Sequence, residues 1–231
     1  MQKSLVAFAL HTHAVPTKPL TSKQRIISDS DVWDKLHALG MPVGDQDQFK
    51  PAELTRGVCS WRELTGNKAT RAALTDAERE AIAATPSDTA FSLPRSIRNV
   101  PLSVNMVCQT GLLKQPGKPL KVIPVSTGKY GGSTKTGMFS IYWRYPGNWQ
   151  SSATFPNADH RPNMYKPLYF LRDLAVHGSR EQITGRPQSH GCVRTQISDQ
   201  VLIAKTMHTG SRIWIYGSYW TGKVKPFGGK V

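Results

Sequence analysis

The chain has 231 residues, enough for one large domain or two small ones with a true hydrophobic core. Its 19 glycines and 16 prolines, beside 39% apolar residues, favour a turn-rich β fold over a helical bundle, and no fixed repeat supports a solenoid or propeller. With 30 Lys and Arg against 15 Asp and Glu, the formal charge of +15 draws polyanions. The basic residues form no block and accompany no zinc-finger or RNA-binding signature, so nucleic acid is not the expected partner.

Residues 1–29 read as an N-terminal segment or tether. Ser4 to Leu10 form a seven-residue apolar run after a lysine, short for a signal core and without a small-x-small cleavage site. The run reads as an atypical signal, or as a strand or tail of the mature chain. No stretch approaches the roughly 20 apolar residues of a membrane span.

Residues 30–86 are expected to form a small helical domain. Asp31 is the expected cap of a helix reaching Leu39, with Trp33, Leu36 and Leu39 on one face and Gly40 as its stop. A second helix, about 52–64, places Leu54, Val58, Trp61 and Leu64 on one stripe. A third, 75–84, opens with the capping box Thr75-Asp76-Ala77-Glu78. Beyond a boundary at 86–98 the period changes. Short β-branched and aromatic runs separated by Gly and Pro predict a strand-rich domain over 98–217, broken by one helix at 198–208 that Ser198 would cap. A tail, 218–231, shows no period. The expected class is therefore α+β: three small helices, then a mostly β, sandwich-like domain.

Cys59, beside Trp61 in an amphipathic helix, reads as a core residue, as does Cys108 in a strand, with a Cys59–Cys108 bridge as the alternative. Cys192 stands apart, in the run QSHGCVR at 188–194. A thiol is a useful nucleophile only as thiolate, and a neighbouring imidazole held by a third group can take its proton. Two histidines are candidates. His177 ends a strand-like run and precedes Gly178, where a strand end presents its side chain, and is the favoured base. His190, two residues from the cysteine, is expected to face away. Gly191 lets a substrate approach the backbone, with the amides of residues 191 and 192 as oxyanion donors. Arg194 can hold a carboxylate through two parallel hydrogen bonds. His11, His13, His37, His160 and His208 show no ligand spacing, and Trp149, near a Gly-Asn turn, is expected in a lid.

His177-Gly178, the loop containing Gly185, and Ser189-His190-Gly191-Cys192-Val193-Arg194 resemble the signature of L,D-transpeptidases of the YkuD type. Val125-Ser126-Thr127-Gly128, Thr134-Lys135-Thr136-Gly137-Met138-Phe139 and Met164 to Phe170 extend the likeness, with Lys135 where proline is usual and Thr195 where a larger apolar residue is common. The resemblance implies a peptidoglycan enzyme needing no metal or other cofactor, with Cys192 as acyl acceptor and His177 as base. The Gly178 carbonyl would orient the imidazole. Ser189 and His190 would support the loop, Arg194 would contact the donor stem peptide, and Tyr165 or Tyr169 would add an oxyanion donor. The implied reaction forms a thioester before the terminal D-Ala of a tetrapeptide stem and passes it to an amine. The alternatives are an L,D-carboxypeptidase using water and a non-catalytic wall-binding protein. Peptidoglycan stem peptides and anionic wall polymers are the implied partners. The implied place is outside the cytoplasm, in the wall or envelope or secreted, reached through the atypical signal or a phage-borne route. Leu36 to Gly44, with Asp47, Phe49 and Thr55, is similar to peptidoglycan-binding three-helix domains, without the glycines expected after the aspartate and phenylalanine.

Overall fold

The computed structural model describes residues 26–48, 50–93, 100–131, 133–149 and 162–218. The expectations for the first 25 residues, for His160 and Phe49, for the tail from 219 and for the last part of the boundary (94–98) lie outside the described residues.

Three helices come first: α1 (Asp29–Ala38), α2 (Pro51–Leu64) and α3 (Asp76–Ala84). Ser28, not Asp31, caps α1. Asp31 stands three positions on and returns its carboxylate to the Ser28 amide, closing a capping box whose cap lies three residues before the expected Asp31. Thr75 and Glu78 close the same box on α3, as expected. Pro51 opens α2, where its missing N–H has no partner to lose.

Ten strands follow among the described residues: β1 (Leu102–Asn105), β2 (Thr110–Leu113), β3 (Lys121–Ser126), β4 (Gly137–Ser140), β5 (Trp143–Arg144), β6 (Asn148–Trp149), β7 (Met164–Leu171), β8 (Leu174–Ser179), β9 (Val193–Gln196) and β10 (Arg212–Tyr216). They form one sheet in the order β4-β10-β1-β2-β3-β9-β8-β7-β5, with β6 also pairing β7. Between β9 and β10 runs α4 (Ile197–Thr206), whose N-cap is Gln196 without a side-chain bond rather than Ser198. The sheet folds over itself at the β3–β9 seam. Leu102, Val104, Ile213 and Ile215 of one wing share a core with Leu168, Phe170, Val176 and Val193 of the other and with Ile203 and Met207 around α4. This produces the sandwich-like α+β architecture expected.

Side chains alternate across a strand, so each wing has a second face. On the first wing Leu112, Val122 and Trp214 point outward into a cluster with Val32, Trp33, Leu36, Leu54, Val58, Trp61 and Ile82 of the helices. The helical and strand-rich parts therefore share one apolar cluster. The Cys59–Cys108 disulfide ties α2 to the β1–β2 turn, so the bridge forms where separate packed thiols were the first expectation. Ser60 also meets Thr110, and Tyr216 donates to Glu63. In the peptidoglycan-binding-like stretch, a Cβ on Gly44 (φ +79°) would fall 2.2 Å from the Glu53 carboxylate, and Met41 and Val43 are buried in the shared cluster.

Candidate active site

The outer face of the second wing carries the predicted nucleophile. Strands β8 and β9 run parallel, pairing Val176 with Val193 and His177 with Arg194. Val176 and Val193 turn into the core, so His177 and Arg194 turn outward. Cys192, one residue before β9, lies on this face as well, its Sγ 3.5 Å from the Ala175 amide and 3.7 Å from the Asp173 carbonyl. Cys192 and His177 are thus diagonal neighbours on one side of the sheet, a spacing that long side chains bridge. Cys192 is the only free thiol of the three.

The imidazole of His177 is buried, and its Nδ1 lies 3.0 Å from the Gly178 carbonyl. A carbonyl can only accept, so Nδ1 carries the proton and Nε2 keeps its lone pair. Burial pulls His177 down to about 4; the Gly178 carbonyl opposes that shift and the Arg194 charge adds to it. Burial also raises the Cys192 thiol, with the Ala175 amide opposing, Asp173 adding to the shift and Arg194 opposing it. The resting pair is therefore neutral thiol and neutral imidazole at pH 7.

The loop before the cysteine is tied at several points. Ser189, buried, donates to the Cys192 carbonyl at 2.6 Å and accepts from the Gly191 amide at 3.0 Å. That second bond corrects one expectation: the Gly191 N–H is committed to Ser189 and does not stand open to an oxyanion. Gly191 is required for another reason, because a Cβ there would lie 2.9 Å from the Ser133 carbonyl and 2.8 Å from Leu174. Thr134 donates to the Gly191 carbonyl and accepts from the Gly128 amide, while the Gln188 and Ser189 amides reach the Thr127 carbonyl. Gln109, buried on the β1–β2 turn, holds Thr127 through both its amide atoms.

The remaining candidates separate by face. Tyr169 pairs with Ala175 and packs with Met164 beside Cys192; its hydroxyl points at the Met164 sulfur, 3.8 Å away, and burial pushes it up to about 12. Tyr165 pairs with Gly178 on the opposite face and lines a cavity of about 220 Å³ with Arg144, Lys166, Val201 and Lys205. It therefore stands away from the thiol. Alternation alone would put Tyr165 and Tyr169, four residues apart, on one face, but the register shift between Tyr165 and Leu168 turns Tyr165 over. His190 is exposed, its ring 6.0 Å from that of Tyr130. Trp149 pairs with Met164 and, with Trp143 and Tyr145, forms an aromatic group that reaches Tyr169. Lys135 is exposed, and Thr195, buried, bonds the His177 carbonyl and Gln200. Sequence reading missed Glu181, which binds Arg194 at 2.5 Å. As the sole carboxylate between His177 and Cys192, it was findable as the natural partner of that arginine. Gln109 gave no comparable signal, since its contacts join distant parts of the chain. Among the described residues no group of three His, Cys, Asp or Glu could hold a metal, and no helix is long and apolar enough to cross a membrane.

A family model of the L,D-transpeptidase catalytic domain, YkuD, matches residues 104–215. The sequence has no match among curated proteins. An L,D-transpeptidase from Xylanimonas cellulosilytica shares the fold, at 23% identity and a TM-score of 0.51 over 80% of this chain and 91% of that one. L,D-transpeptidases from Stackebrandtia nassauensis (17% identity, TM-score 0.48, 84% of this chain and 92% of that one) and Mycobacterium smegmatis (17%, 0.43, 52% and 59%) are also similar. The matched residues span β1 to β10 and hold Cys192, His177 and the loop between them. Residues 104–215 therefore form a YkuD-type L,D-transpeptidase catalytic domain.

Proposed function

We propose that the protein is a peptidoglycan L,D-transpeptidase that works through a thioester on Cys192. The observation that carries this reading is the placement of Cys192 and His177 on one sheet face, with the Gly178 carbonyl pinning Nδ1 so that Nε2 is left as base. The Cys192 proton passes to Nε2 as sulfur attacks the carbonyl before the terminal D-Ala of a tetrapeptide stem. The tetrahedral intermediate collapses, and the departing D-Ala amine takes the proton from His177. The amine of a second stem then attacks the thioester, gives its proton to Nε2, and releases sulfur to recover it.

Because both groups rest neutral, the proton moves with the attack rather than before it. With Gly191 committed to Ser189, the Cys192 amide and the Tyr169 hydroxyl are the donors assigned to the oxyanion, and each such donor is worth about 3 kcal/mol. Arg194 is assigned to the donor stem's carboxylate, with Glu181 holding it from the other side. The disulfide suits an oxidising compartment outside the cytoplasm, where the +15 charge holds the enzyme near anionic wall polymers.

The test is intact-mass spectrometry of the wild type and Cys192→Ala with disaccharide-tetrapeptide, reading muropeptides in the same run. Wild type should gain the acyl mass, release D-alanine and produce cross-linked dimers. Cys192→Ala should lose at least 10⁴-fold in rate with its melting temperature kept, as expected when the group that reacts is removed. Release of D-alanine without dimers would make it a carboxypeptidase. Unchanged stems with folded protein would leave a wall-binding role.

A further inference from the structure

The loop from Glu181 to Gln188, which joins the base to the nucleophile's turn, does not rest on the strand-rich part alone. Its middle sits against the N-terminal half of α2. Arg56 is 1% exposed, and its guanidinium spans two segments: Nε donates to the Pro42 carbonyl at 2.7 Å and Nη1 to the Ile183 carbonyl at 2.9 Å. Glu53 lies 3.7 Å from its third nitrogen. Lys50 reaches Gln182 at 2.7 Å. Gly185 (φ +74°) comes so close to α2 that a Cβ would stand 2.7 Å from the Ala52 carbonyl. On its other side the loop is held by Ser126, which donates to the Arg186 carbonyl. At its start, Glu181 binds Arg194.

A buried guanidinium is costly unless its donors are met, and here one of them is met by the loop itself. The loop and Arg56 therefore fix each other: moving Ile183 strands a buried charge-bearing donor. We propose that Arg56 is a positioning residue, and that α2 acts as a buttress holding the Glu181–Gln188 loop so that Glu181 presents Arg194 to the substrate carboxylate. The helical part then contributes to substrate selection at the thiol through this contact. The part played by Arg194 rests on the transpeptidase reading; the buttressing of the loop does not.

Arg56→Lys keeps a positive charge beside Glu53 but loses the planar fork that spans two carbonyls. Gly185→Ala leaves Arg56 in place and pushes the loop off α2. Arg79→Ala is the control: Arg79 ties α3 to Ile27 and Asp29 and touches no residue of the loop. Each variant is measured in the full chain for hydrogen exchange at 180–188, for alkylation of Cys192 by iodoacetamide, and for KM and kcat on disaccharide-tetrapeptide. Arg56→Lys and Gly185→Ala should each speed exchange in the loop at least tenfold, change the alkylation rate at least threefold, and raise KM about tenfold with kcat altered less than threefold. Arg79→Ala should leave all four unchanged at temperatures where it is folded. Unchanged loop exchange in both loop variants overturns the buttress. A kcat loss that follows the unfolded fraction with KM constant also overturns the positioning role, since that is what a purely structural residue would show. If the wild type turns over no stem at all, the transpeptidase reading falls, while exchange and alkylation still decide for or against the buttress.

Discussion

The two wings of the sheet have opposite fates on their outer faces. On β2, β3 and β10, Leu112, Val122 and Trp214 are roofed by three helices and vanish into a shared core. On β7, β8 and β9, the corresponding face presents Tyr169, Ala175, His177, Cys192 and Arg194 with no helix above it among the described residues. The first face is apolar and demands cover. The second mixes a thiol, an imidazole and a guanidinium, and the chemistry proposed for them requires access from outside. A family-like motif occurs in both regions, yet its residues serve different ends. In the helical part the motif's glycine and apolar positions turn inward to make packing; in the strand-rich part Gly191 lets the loop before Cys192 pass close to Ser133 and Leu174.

The contrast predicts where stability and reactivity separate. The largest stability effect should come from removing the disulfide by Cys59→Ala with Cys108→Ala. Closing the intervening loop restricts the unfolded chain, so its loss should cost about 4 kcal/mol. Denaturant unfolding followed by tryptophan fluorescence and by far-UV circular dichroism would measure it. A single shared transition at a lower midpoint supports one cooperative unit; two separated transitions would make the helices a domain apart and break the comparison.

Next in size is Arg62→Met. Arg62, 3% exposed, binds Glu78 and the carbonyls of Thr70, Ala72 and Ala73, and holds the Glu78 carboxyl down to about 2. Its loss leaves those acceptors unpaired and should cost about 3 kcal/mol, read as a lower urea midpoint. Turnover of the folded fraction should be unaffected, because Arg62 faces away from the loop that α2 supports.

On the second face the test is acidity. His177 is held down to about 4 when folded, while an unfolded histidine titrates near 6.5. Between those values the unfolded state binds the proton that the folded state refuses, so stability should fall as pH drops from about 6.5 towards 4. The contribution is fully present above that window. His177→Gln should flatten this part of the profile by a couple of kcal/mol, measured by urea titrations across pH. The same depression predicts that turnover persists well below pH 6. An activity limb near 6.5 would mean that the imidazole is not buried during reaction.

The smallest expected effect is at a helix end. Thr75→Ala opens the α3 capping box and should cost about 1 kcal/mol, visible as a modest fall in melting temperature with turnover unchanged.

What the sequence alone determined is what depends on near neighbours. The helix stripes, the α3 capping box, the change of period near residue 100 and the His177…Cys192 signature are all local patterns, so chain order reveals them. The Ser28 cap was missed because Ser28 and Asp31 are both good caps, and only the backbone angle at Ser28 selects between them. Tertiary structure alone decided which face each side chain occupies. The register shift in the β7–β8 pairing put Tyr169 beside the thiol and Tyr165 behind it. Tertiary structure also paired Cys59 with Cys108 across 49 positions and brought Arg56 against Ile183 across 127 positions of chain. Contacts of that range depend on how strands pair and helices dock, and no local periodicity records them.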